Sequence, residues 1–256
     1  MFILLIVLGI LASAYGIIVG AGGGFILVPM LLLFYNISPQ MAAGTGLAIV
    51  FLNSVSGLYP YLKQQRVQLY EGTFLGLAAI PGTLLGNWLV NIVNEQTFYY
   101  AFSILLVGLG LFLSIKKPPE TSIDAEEFHQ ETAAVIEHKR RKIWLTLMVG
   151  IVIGVVSSFF GIGGGWLLVP ILVYLFHLNM HKATATSIYA LSIYSFVGLV
   201  APIIRQDIDW EILLWSGIGV LIGSQVGALI SKRLAASTIT RMLAVIVILI
   251  GITLLV

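Results

Sequence analysis

Gly20-Ala21-Gly22-Gly23-Gly24-Phe25-Ile26-Leu27-Val28-Pro29 has a second copy in this chain, Gly161-Ile162-Gly163-Gly164-Gly165-Trp166-Leu167-Leu168-Val169-Pro170, 141 residues further on. The same register holds outward without a gap. It pairs Thr45 with Thr186, Ser54 with Ser195, Gly57 with Gly198, Gln65 with Gln206, Gly76 with Gly217, Gly82 with Gly223, Gly86 with Gly227 and Gly110 with Gly251. Apolar residues match by chance in an apolar chain. Glycines, prolines and buried polar residues do not do so in one register over about 95 residues. The chain therefore reads as two homologous halves, a common plan of secondary transporters.

Composition sets the solvent. Of 256 residues 59% are hydrophobic and 9% charged, where a soluble domain carries about 25% charged residues. The mean hydropathy of +1.05 agrees. An all-α polytopic membrane protein is expected. The net charge of +2 is too small to suggest a nucleic-acid partner. There is no cysteine, which excludes disulfides, thiol nucleophiles and cysteine metal sites. The four histidines form no HExxH pattern, and no GxSxG, Walker or dinucleotide motif is present. No enzyme, no metal site and no cofactor is expected. The first segment ends in Ala12-Ser13-Ala14 but has no basic residue before its apolar run, so it is read as part of the mature protein rather than a signal peptide.

The apolar runs are 2–19, 25–35, 42–62, 69–93 and 98–115, then 143–160, 166–176, 183–204, 210–230 and 242–256. A full span needs about 20 residues. Runs 25–35 and 166–176 are too short, and each follows a glycine triplet. Glycine costs roughly 1 kcal/mol per helical position, so the triplets break the helix, which membranes tolerate only where backbone is buried in protein or lines a cavity. Two topologies fit. If 2–35 is one broken span, each half has four spans and the halves are parallel. If 2–35 is a re-entrant hairpin followed by three spans, the halves are inverted. The positive-inside rule favours the second: it places twelve of the thirteen basic residues on one side and Arg205 on the other, whereas the parallel reading splits them nine to four. Run 2–19 is long enough to cross a bilayer alone, so the broken span stays open on sequence alone.

The halves are then residues 1–115 and 143–256, joined by a charged linker, 116–142, that holds twelve of the chain's 24 charges. Lys116-Lys117-Pro118-Pro119 ends the preceding helix, and 123–141 reads as a polar helix running into Lys139-Arg140-Arg141-Lys142. The linker is cytoplasmic in both topologies.

Each triplet opens an apolar half-helix. Such an N-terminus offers unpaired N–H groups and the positive end of the dipole, and glycine lets an anion approach the backbone. The expected substrate site is Gly22, Gly23, Gly24, Gly163, Gly164 and Gly165. Thr45 and Thr186, then Ser54 and Ser195, join it because the repeat pairs them and neutral hydroxyls hold an oxyanion without fixed charge. Close helix packing explains the glycines equally simply when either loop is taken singly. Asn53, Thr184, Ser187, Asn87 and Gln225 are further polar residues in the spans; Gln65 and Gln206 sit near span ends. No ionisable group lies deep in a span, which argues against a buried carboxylate relay. His177, His181 and Lys182 follow the second half-helix and read first as positive-inside anchors and, alternatively, as groups that attract an anion to the cytoplasmic mouth.

At its two motifs, Gly20-Ala-Gly-Gly-Gly-x₄-Pro29 and Gly161-Ile-Gly-Gly-Gly-x₄-Pro170, the chain resembles the sulfite exporter TauE/SafE family, also described as a 4-toluene sulfonate uptake permease group. The resemblance covers nearly the whole chain. It implies a multi-pass carrier of the prokaryotic inner membrane for sulfite, sulfonates or related sulfur-containing anions, without fixing substrate, direction, coupling ion or oligomeric state. A passive anion channel and a membrane sensor acting through the linker are the alternative readings.

Overall fold

The computed structural model describes residues 2–35, 37–115 and 133–253. Among these the elements are helices throughout: α1 (Phe2–Val19), α2 (Gly24–Tyr35), α3 (Pro39–Lys63), α4 (Leu69–Leu89), α5 (Glu95–Ile115), α6 (Ala133–Phe160), α7 (Gly165–Tyr174), α8 (Met180–Gly198), α9 (Val200–Arg205), α10 (Trp210–Ser231) and α11 (Ala236–Thr253). Both triplets break the chain as expected. Gly20, Gly22, Gly23, Gly161, Gly163 and Gly164 all have positive φ, from 59° to 84°, a region in which a side chain costs about 1–2 kcal/mol per residue. The expected linker ends inside α6, since 133–141 is helical; its portion from 116 to 132 lies outside the described residues. Run 183–204 is divided at Leu199 into α8 and α9.

The short half-helix α2 folds back against α1, so that Gly16 abuts Gly23 at the turn and Leu5 packs with Leu31 at the far end. Helix α1 runs beside α10 in the same direction, Ile6, Ile10 and Ala14 facing Gly219, Gly223 and Gly227 in order. Helix α3 shares that direction, because Thr45 meets Asp209 and Ser56 meets Gln225. Helices α4, α6 and α8 run the other way. Gly82 and Gly86 of α4 face Ile151 and Val155 of α6, and Gln68 and Asn87 meet Thr186 and Gly198 at the two ends of α8.

Small residues make these seams possible. At Gly219, Gly223 and Gly227 the carbonyl oxygens of α1 occupy the place a Cβ would take, and the carbonyls of α6 do the same at Gly82 and Gly86. Backbones then approach closely enough for dispersion and Cα–H···O contacts, which replace the hydrophobic drive that is missing inside lipid.

Two prolines free carbonyls that the opposite half takes. Pro202 has no N–H for the Gly198 carbonyl, which instead accepts from Asn87 Nδ2 at 2.7 Å. Pro60 likewise frees the Ser56 carbonyl, which accepts from Gln225 Nε2 at 2.6 Å. Asn87 of α4 and Gln225 of α10 therefore supply the donors that the two prolines lack. Outside, Leu77, Leu84, Leu85, Leu214, Leu221 and Leu229 are exposed, an apolar jacket suited to lipid rather than water. Among the described residues four helical segments are long and apolar enough to cross a membrane: Phe2–Val19, Pro39–Lys63, Met180–Arg205 and Trp210–Ser231.

Candidate functional site

The two glycine loops lie against each other in the interior. A methyl group on Gly24 would lie 3.1 Å from the Gly161 carbonyl oxygen, and one on Gly165 would overlap the Gly20 carbonyl. All residues from Gly20 to Phe25 and from Gly161 to Trp166 are buried. The starts of α2 and α7 thus meet at one place, with Val50 of α3 and Leu191 of α8 closing over them. Val50 would touch a methyl on Gly22, Gly24 or Gly163, and Leu191 one on Gly22, Gly163 or Gly165. These two side chains are also 141 residues apart.

Hydrogen bonding at the loops leaves several donors over. The carbonyls of Gly20, Gly22, Gly23, Gly163 and Gly164 are taken. Ser187 Oγ donates to the Gly20 oxygen at 2.8 Å, the Tyr194 hydroxyl donates to the Gly163 oxygen, and the Gly23 and Gly164 oxygens accept from the amides of Ile26 and Leu27 and of Leu167 and Leu168. Their amides divide: those of Gly20, Ala21, Gly22 and Gly24 bond the oxygens of Ile17, Gly16, Gly16 and Gly22, whereas those of Gly23, Phe25, Gly164, Gly165 and Trp166 find no acceptor among the described residues. Side chains repeat the pattern. Asn53 Oδ1 accepts from Ser13 Oγ at 2.6 Å, but Asn53 Nδ2 is unpartnered and lies 2.8 Å from the position of a Gly23 Cβ. Ser157 packs against Gly164, and its buried hydroxyl is unpartnered. Trp166 Nε1 and Ser158 Oγ are buried and unpartnered as well. A buried donor without an acceptor costs about 1–3 kcal/mol, and such groups are rare enough to require a reason. An accumulation of free donors beside bonded acceptors, at two positive helix ends, is an environment for an anion.

The structure thus brings all six expected glycines together. The four hydroxyls are placed differently. Thr45 Oγ1 accepts from the Asp209 amide at 2.9 Å and Thr186 Oγ1 from the Gln68 amide at 3.0 Å, so each pins the turn before α10 or α4. Ser54 and Ser195 donate to the carbonyls of Phe51 and Leu191 on their own helices. Sequence reasoning did not select Ser157, Ser158 or Trp166, and named Asn53 without placing it at the site. Register matching is blind to them, because their counterparts are Gly16, Ile17, Phe25 and Tyr194. The Ser157-Ser158 pair just ahead of the second motif was the available signal. Among the described residues no group of His, Asp and Glu is arranged to hold a metal ion.

The family model for the sulfite exporter TauE/SafE matches residues 5–254. The probable membrane transporter protein YunE of Bacillus subtilis (strain 168) is 29% identical over 261 residues, covering 98% of this chain and 96% of the relative. A probable membrane transporter protein of Xylella fastidiosa (strain Temecula1) is 26% identical, covering 90% and 84%. The probable membrane transporter protein MJ0441 of Methanocaldococcus jannaschii is 23% identical, covering 94% and 90%. No solved structure matches the chain. With its glycine loops buried between apolar helices and the family model spanning nearly its whole length, the chain belongs to the sulfite exporter TauE/SafE family of membrane transporters.

Proposed function

We propose that this protein carries a small sulfur-containing anion, sulfite, a sulfonate or a related oxyanion, across the prokaryotic inner membrane by alternating access. The anion is held between the N-termini of α2 and α7 by the backbone of Gly22, Gly23, Gly24, Gly163, Gly164 and Gly165. The observation that carries this reading is the set of free amides at the starts of α2 and α7, those of Gly23, Phe25, Gly164, Gly165 and Trp166, beside the bonded carbonyls of Gly20, Gly23, Gly163 and Gly164. Asn53 Nδ2 and Ser157 Oγ supply one further donor beside each helix end. Thr45 and Thr186 set the turns that frame the site, and Ser54 and Ser195 turn their hydroxyls to the anion when α3 and α8 move. Residues 1–115 and 143–256 act as inverted repeats, each a re-entrant hairpin and three spans, joined by a cytoplasmic linker. The opposite directions of α3 and α8, and of α1 and α6, support that arrangement, as does the gathering of Lys63, Lys182, Lys232 and Arg233 at one end. Val50 and Leu191 close the loops, so transport requires α3 and α8 to withdraw them in turn. That closure favours a carrier over a passive channel.

Thermal unfolding of the purified protein against sulfite, sulfate, thiosulfate, methanesulfonate and chloride tests the site. A ligand at a hundredfold its Kd stabilises the folded state by about 2.7 kcal/mol. Ser157→Ala removes only an unpartnered hydroxyl, so the anion-free variant is expected to be as stable as the parent or more so, while its anion-induced shift shrinks. No shift for any anion, or a full shift in Ser157→Ala and Gly164→Ala alike, would refute the site.

A further inference from the structure

One basic side chain is drawn inside the end that carries Lys63, Lys182, Lys232 and Arg233. Arg66 sits in the turn between α3 and α4, half-buried. Its Nε and Nη2 donate to the His181 carbonyl at 3.3 and 3.1 Å, its Nη1 to Gln64 Oε1 at 2.9 Å and Ser231 Oγ at 3.0 Å, and its Nη2 also to Thr184 Oγ1 at 3.4 Å. Its Cζ stands 4.8 Å over the Tyr61 ring. Among the described residues no carboxylate acts on it, and burial pulls its pKa below the ordinary arginine value. Withdrawing a cation from water is costly unless an opposite charge meets it. Here neutral acceptors from α8 and α10 stand in for that charge.

This cluster lies directly on the first glycine loop. Tyr61 Oη, which is 3.1 Å from Ser231 Oγ, donates to the Ile17 carbonyl at 2.7 Å, and that carbonyl also accepts from the Gly20 amide. The Thr184 Cα lies 2.8 Å from the position of a Gly20 Cβ. The matched turn at the opposite end has the same backbone. Gln65 and Gln206 are both left-handed, and the Arg66 and Asp207 amides bond the Tyr61 and Pro202 carbonyls. Its charges are rearranged, Asp207 standing where Arg66 stands and Arg205 where Gln64 stands.

We propose that Arg66 is the latch of the transport path at this end and the first protein ligand an oxyanion meets there. The anion replaces the His181 carbonyl and the Ser231 and Thr184 hydroxyls on the guanidinium fork, which suits bidentate oxyanions. The α3–α4 turn then parts from α8 and α10 and opens the way to the glycine loops. At the other end the guanidinium is Arg205, exposed and paired in sequence with Asp207, its Nη1 donating to the Asn87 carbonyl at 2.7 Å, so the two gates are built differently. This inference rests on the carrier reading above.

Hydrogen–deuterium exchange of the full-length protein, with sulfite as the probe, tests it. In the parent, sulfite is expected to protect 22–26 and 163–167 and to speed exchange at 66–68 and 181–184 by about tenfold, the scale of one charge-assisted hydrogen bond. In Arg66→Gln the latter amides exchange fast without sulfite and no longer respond to it. Arg66→Lys keeps the charge but loses the fork; it exchanges faster than the parent and retains part of the response, and it carries the test if Arg66→Gln does not fold. Protection of the glycine loops with no change at 66–68 or 181–184 would overturn the latch and leave the carrier reading standing. So would parental exchange in the arginine variants. Absence of protection at the glycine loops would overturn the carrier reading and the latch with it.

Discussion

Alanine at Gly223 should damage this protein, and alanine at Gly108 should improve it, although both glycines lie inside helices. A Cβ on Gly223 would overlap the Ile10 carbonyl oxygen and lie 2.9 Å from the Ile10 carbonyl carbon and Cα, whereas one on Gly108 would find nothing within 4 Å. Ile10 presents backbone, which cannot rotate aside, so α1 and α10 must separate by about 1 Å. Overpacking of that kind costs about 1–3 kcal/mol. Separation also weakens the Cα–H···O contacts at Gly219, Gly223 and Gly227, worth about 0.5–1 kcal/mol each. Alanine's helix preference returns about 1 kcal/mol. Gly223→Ala is therefore expected to lose about 2–4 kcal/mol, and Gly108→Ala to gain up to about 1 kcal/mol. Thermal or denaturant unfolding in one detergent measures both. Equal effects of the same sign would show that glycine serves general flexibility here and that the close seam is not what holds α1 to α10.

Two further outcomes follow from the polar groups. Asn87→Leu leaves the Gly198 carbonyl without a donor and is expected to cost about 1–3 kcal/mol. Adding Pro202→Ala supplies a backbone N–H for that carbonyl, so the double variant should recover part of the loss; simple additivity in the unfolding cycle would refute the capping role. Burial raises the Asp207 carboxyl above its ordinary value, with Arg205 partly opposing. The folded protein thus binds this proton more tightly than the unfolded chain, and stability falls as pH rises from the ordinary aspartate value through the raised one. Asp207→Asn removes that fall, read as melting temperature against pH; an unchanged slope would refute it.

How much of this could be read beforehand varies with the range of the interaction. The triplets broke the helices where the sequence placed the breaks, because positive φ at Gly22 or Gly163 is a local steric matter. The N-caps of α3 and α8, Ser38 and Asn179, are local too. The polar helix read over 123–141 is present in its described part, 133–141, as the start of α6, but the division at Leu199 was not anticipated, since apolar runs mark what lipid can cover rather than where backbone bonds begin and end. At the site, the glycines were legible and the hydroxyls less so. Thr45 and Thr186 are polar, buried and matched, which a binding residue and a turn clamp satisfy equally. Only the Asp209 and Gln68 amides distinguish them, and those lie across the fold.

The sequence by itself determined the all-helical membrane class, the breaks and the family resemblance, because composition and glycine conformation act residue by residue. The tertiary structure alone decided that both loops meet at one place, that five amides at the starts of α2 and α7 are left free, and that Asn53 and Ser157 stand beside the helix ends. Those facts depend on which backbones approach across more than a hundred residues of chain. A repeat register cannot report them, because it matches each half with the other and so hides the places where the two halves differ.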